Sequence, residues 1–110
     1  MTDKPETKNW KAFEDRQPGP GRIPTLRVSG KVKISNTNQK PRLVEAVPQG
    51  INRTILLLDL IIDTEGAGIE PPDPWPDATF EKHVTPHQYK LVEIRWEGQL
   101  VSSCVVQEIQ

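Results

Sequence analysis

His83 and His87 stand four residues apart, with Asp73, Asp77 and Glu81 just upstream. This is the chain's nearest approach to a metal-ligating pattern. On a helix the spacing would turn both imidazoles to one side, as zinc requires. Pro86 and the β-branched pair Val84-Thr85 argue against a helix there, so the spacing loses its geometric meaning. Two solvated loop histidines are expected, with no metal and no cofactor.

Asp59 is the one polar residue in the apolar run Ile55–Ile62. A carboxylate there is costly unless it is paired or hydrogen-bonded. Arg42, Arg53 and Arg95 have the right sign to hold it. Unpaired, it could serve as an acid–base group, but no second catalytic carboxylate or histidine can be placed beside it. The expectation is a structural ion pair. Cys104 is the only cysteine, so no intrachain disulfide forms. It lies among Val101, Val105 and Val106, where a free thiol behaves as a small hydrophobe. No Gly-rich phosphate loop, Cys-x-x-Cys pair or Ser-His-Asp order is present. The stock of catalytic groups is poor, and a non-enzymatic protein is expected.

Two surfaces remain. Arg27, Lys31 and Lys33 fall on one strand face and could meet phosphates, but nucleic-acid-binding sheets add aromatics for base stacking and this face has none. A solvated face, or one paired with acidic residues, is expected instead. The stretch Asp73-Pro-Trp-Pro-Asp77 carries more. Proline lowers the ordering cost of binding and Trp is a favoured interface anchor. Trp75, Asp73 and Asp77 are therefore candidate contacts for a protein partner, joined by Trp10 and Phe13 near the N-terminus. The competing structural reading makes Trp75 a plug over the open end of the domain.

Elements must position these groups. The chain has 110 residues, enough for one domain with a thin core. Only 35% of residues are hydrophobic, so they must be concentrated. The run Ile-Leu-Leu-Leu-Asp-Leu-Ile-Ile is apolar on both sides of a strand and belongs inside a sheet. Thr25–Ser35 alternates strictly, with Leu26, Val28, Val32 and Ile34 on one face. Gly30 interrupts that row, which signals a bulge or the close approach of another side chain. Leu43–Val47, bounded by Pro41 and Pro48, suits an edge. Ala78–Thr85 offers a short strand. Gln88–Trp96 and Gln99–Ile109 form a hairpin around Glu97-Gly98, and a two-residue turn would set Trp96 opposite Gln99 and Val92 opposite Ser103.

Residues 1–23 read as a flexible tail and linker. Within them Glu6–Arg16 could form a short helix with Trp10 and Phe13 on one side. The expected architecture over residues 24–110 is all-β: an antiparallel, immunoglobulin-like sandwich of five to six strands, with a small β-barrel as the alternative. Residues 1–53 hold 11 basic against 5 acidic side chains, and residues 54–110 hold 3 against 10. The opposite charges are expected to neutralise each other within the fold. No apolar leader or membrane-length run is seen, so a cytoplasmic protein is expected, without membrane or nucleic-acid partners. The functional expectation is a protein-interaction or assembly module, with homo-oligomerisation through an exposed sheet edge as one route. The alternative is a small-molecule-binding domain or minor enzyme using Asp59 or His83.

Overall fold

The computed structural model describes residues 4–16, 21 and 23–109. They form seven strands: β1 (Thr7–Asp15), β2 (Thr25–Val32), β3 (Gln39–Glu45), β4 (Ile55–Thr64), β5 (Asp77–His83), β6 (Leu91–Trp96) and β7 (Gln99–Ile109). All seven belong to one mixed sheet in the order β3-β4-β6-β7-β1-β2-β5. The sheet curls until its two terminal strands approach each other, giving a nearly closed barrel. Lys82 of β5 reaches Glu45 of β3 and the Tyr89 hydroxyl (3.1 Å) across the remaining seam.

The all-β expectation holds, and the barrel alternative fits better than an immunoglobulin-like sandwich. Two features depart from the antiparallel expectation. β4 pairs β6 in parallel and β1 pairs β7 in parallel. The first follows from the long excursion between β4 and β6. The chain crosses to the far edge, runs as β5 beside β2, and returns on the same heading as β4. The second adds a strand that composition concealed.

Residues 7–15, expected in a tail helix, form that strand. Its inner row is Trp10, Ala12 and Glu14, and its outer row is Lys11, Phe13 and Asp15. Trp10 and Phe13 therefore point to opposite faces, not to one helical side. Two things masked the alternation. Glu14 is charged yet buried. A bulge also breaks the pairing with β2 between Lys8 and Lys11, with Asn9 at φ 59°. Two residues oppose one at such a site, which re-aims the side chain that follows. The linker expected at residues 17–20 lies outside the described residues.

The core is the barrel interior. Leu26, Val28 and Val32 of β2, Leu56, Leu58 and Leu60 of β4, and Val92 and Ile94 of β6 are buried there. β4 is hydrogen-bonded on both sides, as its apolar character requires. On its outer face only Leu57 is fully covered. The Gln49 side chain folds over it, accepting from Leu57 N (2.9 Å) and donating to Leu57 O (2.9 Å). The β6–β7 turn does have two residues, and Glu97 and Gly98 both adopt positive φ. Past Arg95 the register slips by one, so Val92 opposes Cys104 in place of Ser103. No helix of the described residues is long and apolar enough to cross a membrane.

Candidate functional site

The proline-rich segment is tied to the barrel by its carbonyls. Ile34 N donates to Pro74 O (2.8 Å) and Val32 N to Pro76 O (3.1 Å). These bonds extend the β2–β5 ladder upward. Proline can accept in a ladder but not donate, so the segment serves well as an outermost strand. The far part of the loop is clamped by the β2–β3 turn. Thr37 N donates to Ile69 O (2.9 Å) and Asn38 Nδ2 to Gly66 O (3.0 Å). A side chain at Gly68 would stand 2.8 Å from Asn38 N, so glycine is needed there.

Held in this way, the loop forms one wall of an open cleft at the end of the barrel, with a volume near 1010 Å³. Pro71, Pro74 and Ile34 line one side. Ile62 and Thr64 of β4 and Trp96 and Glu97 of the β6–β7 hairpin line the other. The two-residue turn ends β6 at Trp96 while β4 runs on to Thr64, which leaves the hairpin tip and the end of β4 as the facing wall. A smaller depression of about 400 Å³ adjoins it, bounded by Asp59, Ile61, Ile62, Trp96 and Gly98. Trp96 and Ile62 thus stand in both. Trp96 Nε1 is shielded from solvent and has no acceptor among the described residues. A buried donor left in that state costs about 1–3 kcal/mol.

The sequence candidates are distributed unevenly around this cleft. Asp73 and Trp75 sit on the loop, and Asp77 opens β5 just after it. Asp73 accepts from Trp75 N (3.0 Å), which shapes the turn, and Asp77 accepts from Lys31 (3.0 Å). Trp75 does not plug the barrel. It is half-buried on the outside, with Lys8 Nζ 4.1 Å from the ring centroid, a cation–π contact. Trp10 packs against the core, and its Nε1 donates to Thr7 Oγ1 (2.9 Å). Phe13 faces outward towards the opposite end of the barrel, beneath Lys11.

Asp59 and His83 are not brought together. Asp59 is half-exposed on the outer face of β4, level with Arg95 but without an ion pair among the described residues. Of the three arginines expected to hold it, Arg95 donates instead to Gly98 O (3.3 Å), Arg42 pairs with Asp63, and Arg53 makes no ion pair with it among the described residues. Partial exposure removes the need for a partner. His83 ends β5 at the opposite end of the barrel, with Nδ1 3.4 Å from Thr25 Oγ1. The cations on and just past β2 are matched by carboxylates: Arg27 by Glu81, Lys31 by Asp77, and Lys33, which follows the strand, by Glu6. The separation of charge along the chain is cancelled partly across the β2–β5 ladder. Cys104 is half-buried, and that desolvation raises its thiol pKa, which disfavours the nucleophilic thiolate.

A polar cluster at the far end was not legible in the sequence. Glu14 is buried at 2% exposure, yet its carboxylate takes Arg16 Nε and the backbone N–H of His87 (3.1 Å). Arg16 Nη2 also reaches Glu108 (2.9 Å) and lies 2.9 Å and 3.1 Å from the two ring nitrogens of His87. His87 Nδ1 in turn abuts Glu108 Oε1. This cluster ties the ends of β1 and β7 to the β5–β6 loop, and its members are matched to one another. Sequence offered no signal for it beyond the alternation hidden in residues 10–15.

Comparison with family models, with characterised proteins and with solved structures returned no match to this chain.

Proposed function

We propose that the protein is a non-enzymatic protein-interaction module whose binding site is the cleft between the proline-rich loop and the β6–β7 hairpin. The observation that carries this reading is the cleft itself. Its volume lies at the top of the roughly 300–1,000 Å³ range of small-molecule sites, it is open, and its walls mix apolar and polar groups. Those properties suit an extended peptide segment better than an enclosed small molecule. The loop wall is held by backbone hydrogen bonds, so little ordering is required on binding. Trp96 supplies an aromatic anchor on the hairpin wall. Asp73 and Trp75 on the outer side of the same loop, with Asp77 at the start of β5, extend the contact surface.

The test is a selection of random displayed peptides on the wild-type protein, followed by titration of enriched sequences into Trp96→Ala and Pro71→Gly variants. Peptides are expected to enrich, and Trp96→Ala should weaken them at least about tenfold, or 1.4 kcal/mol. No enrichment, or binding indifferent to both substitutions, would refute the cleft.

A further inference from the structure

Besides the end of β4 past Asp59, which lines the cleft, and the first half of β1 on its β7 side, the curled sheet leaves three stretches of backbone edge, and they differ in how they are guarded. β3 carries Lys40, Pro41 and Arg42, and β5 is preceded by Pro74 and Pro76 and carries Glu81 and Lys82. Charge and proline are the usual protection of an edge, and these two edges also face each other across the Lys82–Glu45 contact. The third stretch is the first half of β7. β1 pairs with β7 only over Ala12–Asp15 and Val106–Ile109. Among the described residues no ladder bond joins Gln99–Val105 to β1, where the bulge at Asn9 and Trp10 disturbs the neighbouring strand. These residues read Gln-Leu-Val-Ser-Ser-Cys-Val, with no charge, proline or glycine. Leu100 and Val105 are 53% and 69% exposed. An uncharged, β-forming edge of this kind is a template for another strand.

We infer that the occupant is a second copy of the chain, paired antiparallel through Gln99–Val105 of each subunit about a two-fold axis. The same residues then serve both sides, as an isologous contact demands. An uncharged strand is the complement this edge accepts, and β7 itself is such a strand. Flanking charges agree with the antiparallel direction. Lys11 lies on β1 one residue before the Ala12–Val106 pair, next to the C-terminal end of the open stretch. Glu97 lies at its N-terminal end, in the turn before Gln99. Neither makes an ion pair among the described residues. Antiparallel pairing carries Lys11 of each copy towards Glu97 of the other, whereas a parallel arrangement would set like charges level.

The contact is narrower than the standard interface of about 1,600 Å², so light scattering coupled to size exclusion should be run up to about 1 mM. Wild-type protein is expected to approach twice the chain mass. Leu100→Lys with Val105→Lys, and Leu100→Glu with Val105→Glu, should each give a monomer with an unchanged melting transition. An equal mixture of the two variants should recover the dimer mass. If the double-lysine variant loses its cooperative melt, Val105→Lys alone and its Val105→Glu counterpart carry the same test. A wild-type monomer throughout, a dimer insensitive to both substitutions, or a mixture that stays monomeric would overturn the inference.

Discussion

The indole of Trp10 occupies the space that a side chain at position 30 would need. A Cβ built on Gly30 would stand 2.2 Å from Trp10 Cε3 and 2.3 Å from Cδ2. The bulge at Asn9 puts the ring there, and the Thr7 hydroxyl holds its N–H. Gly30→Ala should therefore cost about 1–3 kcal/mol by overpacking. Trp10→Ala should cost a similar amount, since the ring is only half-buried. The double variant should lose less than the sum of the two, because the clash disappears with the ring. Urea titrations of the four proteins measure the coupling. Strict additivity would mean that the two residues do not meet.

That glycine shows what the sequence could and could not disclose. The interruption of the row Leu26, Val28, Val32 announced a bulge or a close approach, and a missing side chain leaves room for the second. It did not say which residue approaches. Trp10 was hidden because its strand carries a buried glutamate and a bulge, each of which spoils period-two alternation. The central placement of β4 was legible, because a strand apolar on both faces has few other places to go. Parallel pairing was not, since strand direction depends on the path of the connecting chain. The cleft shows the same division. The proline loop stood out by composition, but its opposite wall, Ile62 and Trp96, is made by strand ends that only the register brings together.

The interior of β4 should dominate stability. Leu58 is fully buried and Ile69 is 72% exposed. Leu58→Ala is expected to cost about 2–5 kcal/mol, and Ile69→Ala under about 0.5 kcal/mol. Chemical denaturation separates the two directly, and equal small losses would contradict the barrel core.

Glu14 is expected to behave as a buried partner whose loss strands its neighbour. Glu14→Ala leaves Arg16 Nε and the His87 N–H without their acceptor, while Arg16 Nη2 keeps Glu108. A loss of about 2–4 kcal/mol is anticipated, close to that of breaking a buried pair. Hydrogen exchange should rise first at His87 and along the β1–β7 ladder. Uniform exchange changes would show that the cluster does not tie these ends together.

The hairpin turn carries a residue ill suited to its backbone. Glu97 has φ 47° and Gly98 φ 81°, and two-residue turns with both positive favour Asn-Gly. Glu97→Asn should raise stability by about 0.5–1 kcal/mol, since asparagine enters this region more readily. A lower denaturation midpoint would indicate that Glu97 contributes more through its side chain than its backbone costs.

The seam between β3 and β5 should weaken at alkaline pH. Hydrogen bonding to Glu45, and secondarily to Tyr89, raises the Lys82 pKa above that of a free lysine, against a smaller opposing effect of burial. A raised folded-state pKa means that the native protein holds this proton more tightly than the unfolded chain. The stability it contributes is fully present below the unfolded value, about 10.4, and is lost as pH climbs through the higher folded value. Burial raises the Cys104 thiol pKa as well, so the raw profile is not specific to Lys82. The difference between wild type and Lys82→Met isolates it. That difference should be level from neutral pH to about pH 10 and shrink above it. A difference that stays constant through this window would show that the Lys82 charge does not hold the seam, leaving only the packing of its aliphatic stem against Tyr89.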